Sequence, residues 1–304
     1  MSTDHEPHPP TSPVAGAEPY SPYVDTELRL RDGRTLGYAI WGSPNGQAAL
    51  LCHGSPGSRL FAPDPVVTAK LGLRLITIDR PGYGRSSGRP ERRIVDWPSD
   101  VSELMQSLGV DSFSIVAHSS GGPYALACAA TMEIRRVVLV SCVAPAENQL
   151  SNGDVAADED ALALANLART DPHRARAMVA ASVSWLADDP DRFLLLPRPE
   201  SDATLLKDPQ IKLMFTATIR DAVRQGVEAY AVDEVLCLQP WGFPLNPLKP
   251  DISIWHGAQD RAVPISDAHK LAQLLNTDQV HIEPDQGHGL ILTRWPEIAT
   301  ELLP

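Results

Sequence analysis

The sequence has no run near the roughly 18 to 20 apolar residues that a bilayer-spanning helix requires. Its first residues, MSTDHEPHPPTSPVAGAEPYSP, have neither the basic start nor the apolar segment of a secretory signal. Six prolines and few large apolar side chains in those 22 residues make them a tail with nothing to bury. A cytoplasmic location is expected. Positive charge is in deficit: 26 Lys and Arg stand against 38 Asp and Glu, a formal net charge of −12. Nucleic acid and anionic membrane surfaces are therefore poor partners. Cysteine is sparse too. Cys52, Cys128, Cys142 and Cys237 form no CxxC pair and no Cys/His metal spacing. They read as small core residues, so no metal and no catalytic thiol is expected. HGSPGS, after the first apolar run, lacks the G-x-G-x-x-G of a nucleotide fingerprint, and no cofactor is expected. There is no internal repeat.

What is present is an ordinary globular composition, 43% apolar and 21% charged, over 304 residues. That length suits one large α/β domain, with or without an insertion. TELRLRDGRTLGYAIWG reads as a hairpin around Asp32-Gly33. AALLCHG, LRLITIDRPG, FSIVAHS and RRVVLVS are then strands, apolar enough to be buried on both faces of a parallel sheet. PVVTAKLG, IVDWPSDVSELMQSLG and GGPYALACAATM are the helices between them, the second stopped by Gly109. Strand–helix alternation implies an α/β fold. From Ala146 to Asn246 only helical segments appear, and the alternation resumes with ISIWHG, SDAHKLAQLLN, QVHIEP and a last helix around ILTRWPEIATELL. The expected organisation is a tail (1–22), a first core part (23–145), a helical cap (146–246) and a second core part (247–304). Pro145 and the stretch QPWGFPLNPLKP mark the two ends of the cap.

Four stretches carry chemistry. In SIVAHSSGGPYALA a strand ends, a serine follows and a helix begins. A nucleophile on so tight a turn needs small residues two positions before and after it. Ser119 has Ala117 and Gly121 there, whereas Ser120 would have the bulky His118 at −2. The turn sets Ser119 at a helix N-terminus, which favours negative charge. LLCHGSPGS supplies a loop whose Ser55 backbone N–H, with that of Ser120, can hold a developing oxyanion. His53 reads as a brace for that loop. Asp260, in the loop after ISIWHG, and His288, in HIEPDQGHGL, complete the set. Serine needs a base, and the base needs a carboxylate that holds its tautomer. Asp260 is preferred to Asp251 and Asp267 because its loop can bring it to His288.

These motifs resemble the α/β-hydrolases from about residue 25 to 304. The resemblance rests on His53-Gly54 with Pro56-Gly57-Ser58, DRPGYGRSS over Asp79–Ser87, and Ser119 with Gly121-Gly122-Pro123-Tyr124. His256-Gly257-x-x-Asp260 and Gly287-His288 complete it. Ala117, where the family usually has glycine, is a departure. The resemblance implies an eight-stranded, mostly parallel sheet flanked by helices, with an inserted helical cap. It also implies the order nucleophile, acid, base, here Ser119, Asp260, His288, with oxyanion donors at Ser55 and Ser120, and a structural role for Asp79. The activity expected is hydrolysis of an ester, lactone or thioester of a small molecule through an acyl-enzyme. The alternatives are a proline-iminopeptidase-like aminopeptidase and a non-catalytic ligand-binding member. An aminopeptidase would need cap carboxylates for the substrate ammonium, and Glu228, Asp233 and Glu234 are the candidates, although acidic residues on helices are usually solvated.

Overall fold

A computed structural model of the chain describes residues 21–146 and 159–304. Residues 1–20 of the expected tail and 147–158 of the expected cap lie outside the described residues. Eight strands among the described residues form one sheet: β1 (Val24–Arg29), β2 (Thr35–Gly42), β3 (Gln47–Cys52), β4 (Leu73–Ile78), β5 (Phe113–His118), β6 (Ile134–Val140), β7 (Asp251–Gly257) and β8 (Val280–Glu283). Their order is β1-β2-β4-β3-β5-β6-β7-β8. Only the pairings that involve β2 are antiparallel. The β1–β2 hairpin turns through Gly33, whose φ of +88° is open to glycine at no steric cost.

The central strands are largely apolar because both faces are covered. Successive side chains point to opposite faces. In β3, Ala48, Leu50 and Cys52 enter one core while Ala49 and Leu51 enter the other. Val137 and Leu139 of β6 divide from Val138 and Val140 in the same way. Helices α1 (Pro65–Lys70), α2 (Trp97–Ser107) and α3 (Gly122–Thr131) connect the first strands. Between β6 and β7 the chain makes a helical insertion: α4 (Glu159–Thr170), α5 (Pro172–Ser182), α6 (Trp185–Asp188), α7 (Glu200–Leu205), α8 (Pro209–Ala222) and α9 (Glu228–Cys237). Then follow α10 (Ile265–Leu275), α11 (Leu290–Thr293) and α12 (Trp295–Glu301). Buried residues of α2, α3 and α10 join the first core, and those of α11 and α12 join the second. The insertion builds small cores of its own, such as Ala168, Ala175, Val179, Ala231 and Val235.

From β3 the chain runs to β4 on one side and to β5 on the other, so β3 and β5 flank the topological switch point. Parallel α/β sheets open a crevice there, beyond the carboxyl ends of the strands. Cys52 pairs with Ala117, which sets the loops after His53 and after His118 side by side. Among the described residues, no helix is long and apolar enough to cross a membrane.

Trp295 is fully buried between α12 and the sheet, and its indole Nε1 donates to Thr68 Oγ1 at 2.9 Å. Trp295→Ala should lower unfolding stability by about 3–5 kcal/mol, read from the denaturant midpoint.

Candidate active site

The strand-to-helix turn after β5 is as tight as its sequence demands. Ser119 has φ +56°, a left-handed conformation uncommon for serine, and it opens the 3-10 turn Ser119–Gly121 that leads into α3. Gly121 is needed for close approach: a Cβ there would collide with the Cys52 carbonyl oxygen and lie 2.8 Å from the His53 oxygen. Gly54 faces the turn, with its Cβ direction 3.0 Å from Ser119 Cβ. Ser55, Ser119, Ser120 and His288 all line one cavity of about 480 Å³ between the sheet and the insertion. Its other walls are largely apolar, with Phe61, Phe193, Leu206, Phe215 and Ile219 among them.

His288 Nδ1 donates to Asp260 Oδ2 at 2.8 Å. A carboxylate only accepts, so the proton of a neutral ring sits on Nδ1 and Nε2 is the basic nitrogen. Asp260 Oδ1 accepts from the backbone N–H groups of Ala262 (2.8 Å) and Val263 (3.0 Å). Burial works to raise the Asp260 carboxyl. The His288 hydrogen bond and charge and the two N–H donors outweigh it and hold the group below the ordinary carboxylate value. The two rival acids have other partners. Asp251 opens β7 and pairs with Arg136, and Asp267 accepts from the Ala144 N–H in α10.

Residues 49–301 match the model of the alpha/beta hydrolase family. The chain belongs to this family. A non-heme chloroperoxidase from Kitasatospora aureofaciens is 27% identical over 86% of the chain and 91% of that protein. A proline iminopeptidase from Xanthomonas citri is 35% identical over a shorter stretch, 36% of this chain and 36% of that protein. An enol-lactonase from Burkholderia xenovorans LB400 shares the fold, with a TM-score of 0.63 and 21% identity, covering 91% of this chain and 97% of the other.

In this chain the loop after β3 is held by a buried ionic network that the sequence reading missed. Asp233, on α9 of the insertion, is fully buried. Its Oδ1 accepts from Arg92 Nη2 and Tyr124 Oη, each at 2.6 Å, and its Oδ2 from Arg80 Nε at 2.8 Å. Ser55 Oγ donates to the same Oδ2 at 3.2 Å. Arg80 also donates to the carbonyls of His53 and of Gly54 (3.1 Å) and to Ser55 Oγ (3.0 Å). One planar fork with five donors can do this and an ammonium cannot. The expectation that acidic residues of the helical block are solvated therefore fails for Asp233. The signal was readable: Ala229, Tyr230, Leu236 and Cys237, three and four residues away along α9, are apolar or aromatic neighbours on one helix face. Glu228 does not line the cavity; Glu234 does.

The flanking groups are braced rather than reactive. His53 Nδ1 lies 2.7 Å from the Gly54 oxygen, and burial keeps its ring well below the usual value. His118 stacks on Phe61 at 5.6 Å, and burial, with His288 close by, pushes its ring down to about 3. It stays neutral, with Nε2 2.9 Å from the His288 carbonyl. Asp79 is outside the cavity lining and accepts from the backbone N–H of Arg59 (2.6 Å) and of Arg85 (2.9 Å). Ser120 does more than offer an N–H: its Oγ donates to Ser55 Oγ at 2.8 Å. Cys52, Cys128 and Cys142 are buried and all four cysteines are free.

Asp233→Ala strands two buried guanidinium groups and should cost about 3–5 kcal/mol at neutral pH. Burial alone would raise the Asp233 carboxyl, but Arg80 and Arg92 hold it well below its ordinary value. The stabilisation is therefore complete above the unfolded value of 3.8 and is lost as pH falls below it. Urea melts from neutral to acid pH should show this acid-side loss in the parent and a weaker one in the variant.

Proposed function

We propose that the chain is a serine hydrolase that cleaves an ester or related acyl bond, such as a lactone or thioester, of a small molecule through an acyl-enzyme. The observation that carries this reading is the 2.8 Å hydrogen bond from His288 Nδ1 to Asp260, on the wall of the cavity that Ser119 also lines. Ser119 Oγ attacks the carbonyl carbon and its proton passes to His288 Nε2. The negative charge moves to the carbonyl oxygen, where the backbone N–H groups of Ser55 and Ser120 accommodate it. Collapse expels the leaving group, which takes the proton from His288. Water then adds to the acyl-enzyme with His288 as base, and the acid leaves as Ser119 recovers its proton. Asp260 holds the tautomer and offsets the imidazolium charge. The helical insertion serves in this reading as a cap that keeps water from the acyl group and shapes the acyl site. The cavity volume suits a small molecule.

A specific observation favours a second reading, an aminopeptidase. Among the described residues nothing donates a hydrogen bond to the cavity-lining Glu234. Burial, and then the neighbouring Asp233, raise its carboxyl to about 7. A substrate ammonium would supply the missing partner. Asp233 cannot play that part, since both its oxygens are bound to arginine.

Two experiments test these readings. A fluorophosphonate probe should label the parent protein at Ser119. Ser119→Ala should lose labelling and several orders of magnitude in kcat, whereas Ser120→Ala should keep labelling and most activity. Labelling that survives Ser119→Ala and disappears in Ser120→Ala overturns the assignment. For the second reading, amino-acid p-nitroanilides are compared with their N-acetylated forms. Preference for the free amine should rise with pH as Glu234 ionises around its value of about 7, and Glu234→Gln should erase it. Equal rates on both forms at every pH leave only the first reading.

A further inference from the structure

The loop that carries His288 is gripped from two directions. The core holds the ring through Asp260. The backbone is held by the insertion: Asp202, on α7, accepts from the His288 N–H with Oδ2 at 3.0 Å and from the Gly289 N–H with Oδ1 at 2.8 Å. These are charge-assisted bonds to consecutive amides, so the carboxylate fixes the direction of the peptide planes as well as their position.

The glycines on either side of His288 are explained by the same contact. Neither has the positive φ that would require glycine. Space requires it instead. A Cβ on Gly287 would lie 2.5 Å and 2.6 Å from the two Asp202 oxygens. A Cβ on Gly289 would strike Leu205 Cδ1 and lie 3.2 Å from Asp202 Oδ1. Gly-His-Gly is thus the seat on which α7 lands, and the seat is bare so that the carboxylate can reach the amides. Asp202, Leu205, His288 and Gly289 all line the cavity, so whatever occupies it bears on both sides of the contact.

We propose that Asp202 is a positioning residue for His288, through which the helical insertion aligns the base. It acts on the chemical step by way of the His288 backbone and not by holding substrate. This inference rests on the serine-hydrolase reading above. It makes the insertion part of the catalytic apparatus, since an insertion lifted from its seat leaves the base backed by Asp260 but misaligned.

The test measures the rate constant for fluorophosphonate labelling of Ser119, and kcat and KM on p-nitrophenyl acetate, in the full chain. Asp202→Ala should lower both the labelling rate and kcat by on the order of 10- to 100-fold, as a misplacement near 1 Å does, with KM little changed. Asp202→Asn keeps one oxygen to accept an amide and should recover part of the loss. Gly289→Ala, at φ −77° and ψ 11°, imposes no backbone strain of its own, and with Gly287→Ala, whose Cβ meets the Asp202 carboxylate at 2.5 Å, it should reproduce the kcat loss by displacing that carboxylate. A purely structural role would lower the melting temperature of Asp202→Ala while the folded protein is labelled at the parent rate, and that result overturns the proposal. So does a rise in KM at constant kcat, which would make Asp202 a substrate contact. Should Asp202→Ala not fold, Asp202→Asn and Gly289→Ala carry the same comparison. If the parent itself is not labelled at Ser119, the hydrolase reading fails and this inference falls with it. If the parent is labelled and only the Asp202 effect is missing, the hydrolase reading stands.

Discussion

The Asp233 carboxylate lies out of reach of water, and an ion so placed persists only if opposite charge and hydrogen-bond donors replace its hydration. Arg80 and Arg92 supply the charge, and Tyr124 and Ser55 add donors. The partners come from three segments: Arg80 and Arg92 from the connection after β4, Tyr124 from the start of α3 and Ser55 from the turn after β3. The carboxylate itself belongs to the insertion. Satisfying one buried charge therefore ties the insertion to the turn after β3, which lines the cavity, and to the segments behind it. Arg80 is the hub, because its remaining donors bind the His53 and Gly54 carbonyls and so set the loop that carries Ser55. Face contacts with Tyr83 and Tyr124, at 5.4 Å and 4.7 Å, complete its surroundings.

Around that fixed loop, the candidate nucleophile and base are placed by two other constraints. Parallel pairing of β3 with β5 sets the Ser55 and Ser119 turns side by side, and the small residues at 117 and 121 let the second turn close. The loops after β7 and β8 then deliver Asp260 and His288 to the same end of the sheet. His118 stays neutral beneath this group. Glu234 is the exception. It is raised to about 7 in the cavity and, among the described residues, receives no hydrogen-bond donor, the kind of group that functional sites keep.

Much of this was legible from residue order. The strands AALLC, LRLITI, FSIVAH and RRVVLV read as buried because no polar alternation interrupts them, and all are central in the sheet. Asp260 stood out because it follows a strand in a loop, ahead of a helix. The helical nature of the block before β7 was also legible, since no strand pattern occurs there. Its contacts were not. The apolar neighbours of Asp233 mark it as buried but do not name its partners, and Asp202 looks like an ordinary acidic helix residue; the partners lie 153 and 86 positions away along the chain.

Local chemistry by itself thus determined the alternation of elements, the two-faced burial of the central strands and the small-residue turn around Ser119. These depend on side-chain size and on spacing within about ten residues, which the sequence displays directly. Only the tertiary structure decided that Arg80 is a brace for the Ser55 loop, that Glu234 faces the cavity while Asp233 is neutralised, and that the bare Gly-His-Gly seat receives Asp202. The physical reason is the same in all three. Whether a charge is solvated, paired or aimed into a pocket depends on which distant segment packs over it, and the chain writes no local mark of that partner.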